Sequence, residues 1–198
     1  MREYVITRCN TTPDWDAVPS LPIDQFLWCE PVDIQAQAQI CYDDHALHVR
    51  LRAWEKHIRA EETGPLGAPC EDSCLEFFFR PNPEDTRYFN IEFNPNGCMY
   101  LGYGNAREEL VRLLPEISPI VPEIQRFEDG WSVTYQIPYR FIRHFCPTFE
   151  AVSGGTIRAN CYKCGDKTVQ RHYIAWNPIV QETPAFHVPE KFGLMRFA

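Results

Sequence analysis

Glu76 and Glu92 are the carboxylates of this chain that alternation places on outward positions of consecutive apolar segments, "CLEFFFRP" (74–81) and "RYFNIEFN" (87–94). In an extended chain successive side chains point to opposite faces. Phe89, Ile91 and Phe93 therefore share one side, and Asn90, Glu92 and Asn94 the other. Leu75, Phe77 and Phe79 likewise oppose Cys74, Glu76 and Phe78. The segment "LHVRLRAWE" (47–55) turns Arg50, Arg52 and Trp54 away from its apolar side, and "TIRANCYKC" (156–164) does the same with Arg158, Asn160 and Tyr162. Side by side in one sheet, these strands present planar hydrogen-bonding groups with aromatic rings between them. Asn, Glu and Arg serve hydroxyls that both donate and accept, and an aromatic ring covers a C–H face. That is chemistry for a polyol. The competing expectation is a solvated sheet face laced with Arg–Glu pairs.

Other chemistries compete for the same residues. Glu76 and Glu92 on neighbouring strands have the spacing of a glycosidase acid pair, about 5–9 Å. Arg50, Arg52 and Arg158 are expected to keep both ionised, which disfavours a shared proton. "CYKCGDK" holds a C-x-x-C, Cys161 and Cys164. It ends a strand rather than opening a helix, so a redox motif is not expected. Zinc needs two further ligands, from Cys70, Cys74, His172 or His187. Residues three apart on a strand face opposite ways, so one core and one rim cysteine are expected. No Met/His pair supports haem. Trp15, Trp28 and Trp131 are expected in the core, with Trp54 and Trp176 as possible cleft aromatics.

The elements that position these residues are short alternating runs between turn signals. Strands are expected at 36–42, 47–55, 74–81, 87–94, 98–104, 156–164, 171–176 and 192–197, and a hairpin at 123–139 around Asp129-Gly130. "NAREELVRLL" and "YRFIRHF" offer one or two short helices. The expected fold is all-β: a single-domain antiparallel β-sandwich of two sheets, jelly-roll or immunoglobulin-like, over residues 1–198.

Composition bounds the function. The 198 residues carry a net charge of −8, which leaves no basic patch for nucleic acid. No apolar run has the length of a membrane span. Nine cysteines, an odd number, in a chain without an apolar leader lead us to expect reduced thiols and a cytoplasmic location.

Three stretches carry a family resemblance: "CYDDHALHVRLRAWE", "PCEDSCLEFFFRP" followed by "YFNIEFNPNG", and "HYIAWNPIVQETPAFHVPEKFGLMRFA". Together they resemble family 9 carbohydrate-binding modules, and more closely the stand-alone family-9-like proteins, from about residue 35 onward. The resemblance implies a DOMON-like sandwich that binds a mono- or oligosaccharide, often at its reducing end, between two aromatic walls. It implies no cofactor; calcium is a family property, but Asp43, Asp44, Glu71 and Asp72 show no calcium spacing. Carried onto this chain, the family's carboxylate falls on Glu76, and its polar pair, an Arg and an Asn, on Glu92 and Asn94. One aromatic wall falls on Phe186 and the other on Cys70. Phe186 with Trp54 or Trp176 is then expected to stack on a sugar, with Arg52 and Asn160 as further polar candidates. A non-catalytic saccharide binder is expected; a sugar-active enzyme using Glu76 and Glu92 is the alternative.

Overall fold

The computed structural model describes all 198 residues. The alternating runs become strands β1 (Glu3–Arg8), β2 (Ser20–Ile23), β3 (Gln25–Phe26), β4 (Ile34–Tyr42), β5 (Ala46–Glu55), β6 (Cys74–Arg80) and β7 (Tyr88–Phe93). They continue with β8 (Met99–Gly104), β9 (Val111–Arg112), β10 (Glu123–Phe127), β11 (Gly130–Pro138), β12 (Thr156–Gly165), β13 (His172–Ala175) and β14 (Gly193–Phe197). Two turns show why glycine is required. Gly97 closes the β7–β8 turn at φ +76°, a left-handed conformation that suits glycine. Gly130 opens β11 between Phe127 and Trp54, where a Cβ would lie 2.1 Å from the Ala53 carbonyl oxygen.

The strands hydrogen-bond in the order β10-β11-β5-β4-β1-β14-β12-β6-β7-β8-β9. The expected β architecture is present, but the purely antiparallel two-sheet arrangement is not. β1 changes partner midway. Its residues Glu3–Ile6 run parallel to β14, and Thr7–Arg8 run parallel to β4. This seam joins the two halves into one curled, mixed sheet. Of the two expected helices, "YRFIRHF" forms α1 (Tyr139–Phe145). "NAREELVRLL" instead gives one tight turn at Arg107–Glu109 and then β9, which pairs with the edge of β8. Edge pairing, reinforced by Arg112 donating to the Leu66, Gly67 and Met99 carbonyls, overrides local helix propensity.

The inward faces of both halves meet in one core. Leu47, Val49 and Leu51 of β5 and Trp131 and Val133 of β11 pack in the same cluster as Phe77, Phe79, Phe89, Ile91 and Cys161. An ion pair ties the halves across it. The buried Lys163 Nζ of β12 lies 3.2 Å from Glu55 Oε2 of β5. Glu55 also accepts from Trp131 Nε1 and Ser73 Oγ. Lys163 Nζ sits 2.8 Å from His172 Nε2; burial, and then the Lys163 charge, push this histidine down to about 4.

The opposite face of β6, β7 and β12 is not a solvated surface. Cys74, Phe78, Tyr88, Tyr162 and Cys164 form a second buried cluster there, roofed by Leu27, Ile179, Phe186 and Phe192. The expectation of an open face laced with Arg–Glu pairs is overturned, because this side of the sheet is covered by a second apolar layer.

Candidate functional site

Strand register builds one row across four strands: Tyr162, Glu76, Glu92 and Tyr100 are successive cross-strand partners. A second row runs Asn160, Phe78, Asn90 and Gly102. Where the second buried layer stops, a cavity of about 420 Å³ opens over these rows. Glu76, Asn90, Glu92, Cys70 and Cys164 line it, between Tyr100 with Arg112 and a cluster of Trp28, Tyr173 and Phe186.

Each wall has a local cause. A Cβ at Gly102 would lie 2.7 Å from the Tyr100 ring, so the glycine leaves space for that ring. Arg112, held by its three carbonyl acceptors, packs 4.7 Å from the ring centroid of Tyr100. Opposite, Phe186 stacks on Tyr162 at 4.1 Å and meets Trp28 at 6.0 Å and Tyr173 at 5.9 Å. Trp28 is the one non-glycine residue with positive φ, at 54°, and its indole donates to the Gln181 carbonyl. A bulky residue in that region is an outlier of the kind that concentrates at ligand sites.

The polar groups are buried and incompletely paired. Asn90 Nδ2 donates to Glu92 Oε1 at 2.9 Å, but Asn90 Oδ1 has no partner. Cys164 Sγ donates to Glu76 Oε1 at 2.9 Å. Burial, reinforced by the Glu92 charge, holds the Glu76 carboxyl well above the usual carboxylate range. Burial also pushes Glu92 up to about 7, against the pull of the Asn90 amide, Arg112 and Arg107. The expectation that Arg50, Arg52 and Arg158 keep both acids ionised is therefore corrected. Arg50 and Arg52 line a separate depression with Trp15 and Gln37, and the Arg158 guanidinium meets the Met1 sulfur.

Of the residues expected at the site, Glu76, Glu92 and Phe186 line the cavity. Asn94 does not. Its amide is spent on the Glu62 carbonyl and Asp72, and its oxygen accepts from the backbone of Asn96 and Cys98. Asn160 is likewise consumed, by the backbone of Asn177 and Cys161. Trp176 is buried in the main core. Trp54 packs between Phe127 and Arg52 on the other half of the sheet. Trp28, Tyr100, Arg112 and Tyr173 were missed by sequence reasoning. Tyr100 was reachable from the "PNG" hairpin, whose register sets it opposite Glu92.

The calcium-type acids do not converge. Asp43 accepts from His45, Ala46 and His48, Asp44 pairs with Arg8, Glu71 with Lys167, and Asp72 serves Glu61, Glu62 and Asn94. Nor do Cys161 and Cys164 share a site: Cys161 belongs to the main core and Cys164 to the second cluster.

Comparison with known proteins gives a consistent result. The model of carbohydrate-binding family 9 matches residues 10–197. A solved protein of Bacteroides uniformis, proposed to bind carbohydrate, is 25% identical, with a TM-score of 0.85 over 100% of this chain and 99% of that one. A family 9 module of Caldicellulosiruptor kristjanssonii in complex with glucose is 13% identical, with a TM-score of 0.73 over 100% and 96% of the two chains. The complex of such a module from the same organism with cellotriose gives 13% and 0.74 over 99% and 93%. These two show a shared fold. No curated protein sequence matches the chain.

Proposed function

Because the chain belongs to carbohydrate-binding family 9, we propose that it acts as one module that binds a mono- or oligosaccharide without catalysis, in the cavity over β6, β7 and β8. The observation that carries this is Asn90. The residue lines the cavity, and its carbonyl oxygen is buried and lacks a donor. Leaving such an acceptor unpaired costs about 1–3 kcal/mol, which a ligand hydroxyl recovers. Glu76 and Glu92, at least partly protonated, both donate and accept alongside it. Tyr100 and the Trp28–Phe186 wall supply the apolar faces for the ring. At about 420 Å³ the cavity is at the lower end of the range for small-ligand pockets, about 300–1,000 Å³. That size suits the end of a saccharide, its reducing end in our reading, better than the middle of a glucan. The nine free thiols suit a reducing, cytoplasmic setting.

Calorimetric titration with glucose, cello-oligosaccharides and their reduced alditols tests this. Binding of the sugar and not of its alditol is expected. Asn90→Ala should weaken binding about tenfold, one neutral hydrogen bond with its desolvation. Tyr100→Ala should weaken it similarly, and Trp54→Ala should leave it unchanged. Folded protein silent towards every sugar refutes the function. Equal binding in Asn90→Ala and Tyr100→Ala refutes the site.

A carboxyl pair with raised proton affinity also suits acid–base chemistry, which keeps a glycoside hydrolase as the second reading. Glu76 and Glu92 stand side by side on one floor, whereas hydrolysis needs carboxyls flanking the scissile bond. Turnover of an aryl glycoside, lost in both Glu76→Gln and Glu92→Gln, would overturn our choice.

A further inference from the structure

Beneath the cavity floor three metal-ligating side chains converge. Cys74 and Glu76 are consecutive outward residues of β6, and Cys164 of β12 is the direct cross-strand partner of Cys74. One ligand atom from each lies within 4.8 Å of the others, and all three residues are buried. No other set of three His, Cys, Asp or Glu side chains in the chain does this. We propose that Cys74, Cys164 and Glu76 bind a zinc ion. Zinc holds thiolates at about 2.3 Å and carboxylate oxygens at about 2.0–2.2 Å, so in a tetrahedral site its ligand atoms lie about 3.3–3.8 Å apart. Small side-chain rotations reach that spacing. Glu76 and Cys164 border the cavity and Cys70 lines it as well, so a fourth ligand, solvent or the Cys70 thiol, can reach the ion from there. Two thiolates and a carboxylate favour zinc over the oxygen-seeking calcium or magnesium.

Binding is a proton exchange: Zn²⁺ plus two thiols gives a dithiolate complex and two protons, with a third released where Glu76 is protonated. No oxidation is involved. The metal site stands independently of the saccharide reading. Only one consequence rests on that reading: Glu76 cannot serve the metal and a sugar hydroxyl equally well, so zinc should weaken saccharide binding.

Cobalt(II) added to the reduced, chelator-stripped full chain tests the site without any sugar. A thiolate-to-cobalt charge-transfer band should saturate at one equivalent and be displaced by zinc. It should vanish in Cys74→Ser and in Cys164→Ser, persist in Cys161→Ser, and require at least tenfold more metal in Glu76→Gln. No band in folded wild-type protein, or a band surviving both serine variants, overturns the proposal. Because a buried serine can unfold the chain, X-ray absorption of the zinc-loaded wild type is the second readout. Two or three sulfurs at about 2.3 Å support the site, and a shell of nitrogen and oxygen alone refutes it.

Discussion

Glu92 is an acid whose proton depends on the chain being folded. Its ordinary value is 4.5, and burial raises it to about 7 in the native state. The native state thus holds the proton more tightly than the unfolded chain. The stability this contributes is fully present below about pH 4.5 and is lost as pH rises through about 7. His172 and His187 slope the other way. Burial lowers both to about 4, so their contribution is present above about 6.5 and lost as pH falls through about 4. The difference between wild type and Glu92→Gln cancels the histidines and leaves Glu92 with its coupling to Glu76. The variant should match wild type near pH 4 and exceed it by roughly 3 kcal/mol at pH 8, since one pKa unit is about 1.4 kcal/mol. Urea denaturation at the two pH values reads this directly, and a gap that does not widen with pH refutes it. Alternation in the sequence was enough to put Glu76 and Glu92 on one face. It was not enough for Trp28, whose indole partner is Gln181, 153 residues away.

Hairpins are the elements that the sequence made most legible, because alternation and turn residues are local signals. The β10–β11 hairpin was expected at Asp129-Gly130; the loop is Glu128–Asp129, and Gly130 already belongs to β11. Gly130→Ala drives a Cβ against the Ala53 carbonyl and should destabilise the protein by about 3 kcal/mol or more, seen as a lower urea midpoint. A midpoint like that of wild type would mean that the β5–β11 pairing yields easily. The 105–114 segment misled because helix propensity is intrinsic to its residues while the β8 edge that captures it is not. The roof residues Ile179, Phe186 and Phe192 lie outside every strand and helix. They show no period, so nothing local announced that they would bury the outer face and leave only the cavity open.

Across the whole molecule, the Lys163–Glu55 pair and the β1 seam decide how the halves stay together. Lys163→Met leaves Glu55 buried without its cation and should cost about 3–5 kcal/mol; Glu55→Gln/Lys163→Met should recover part of it. Thermal unfolding of both variants tests this, and a neutral single variant would show that Trp131 and Ser73 suffice for Glu55. The seam was not legible, because parallel pairing of β1 with two partners has no signature within β1 itself. It also sets an order of events. Thr7–Arg8 can pair with β4 as soon as β4 exists, but Glu3 is registered with Leu194, so the other half of β1 stays unpaired until β14 has been made. Until then the Glu3–Ile6 stretch of β1 and the Thr156–Ala159 stretch of β12 expose unpaired edges, which are templates for pairing with other chains. During synthesis this protein is therefore most vulnerable to aggregation late, when most of its strands exist and the one that closes the sheet does not. Closing that seam joins residues far apart in sequence, a non-local pairing of the kind that slows folding.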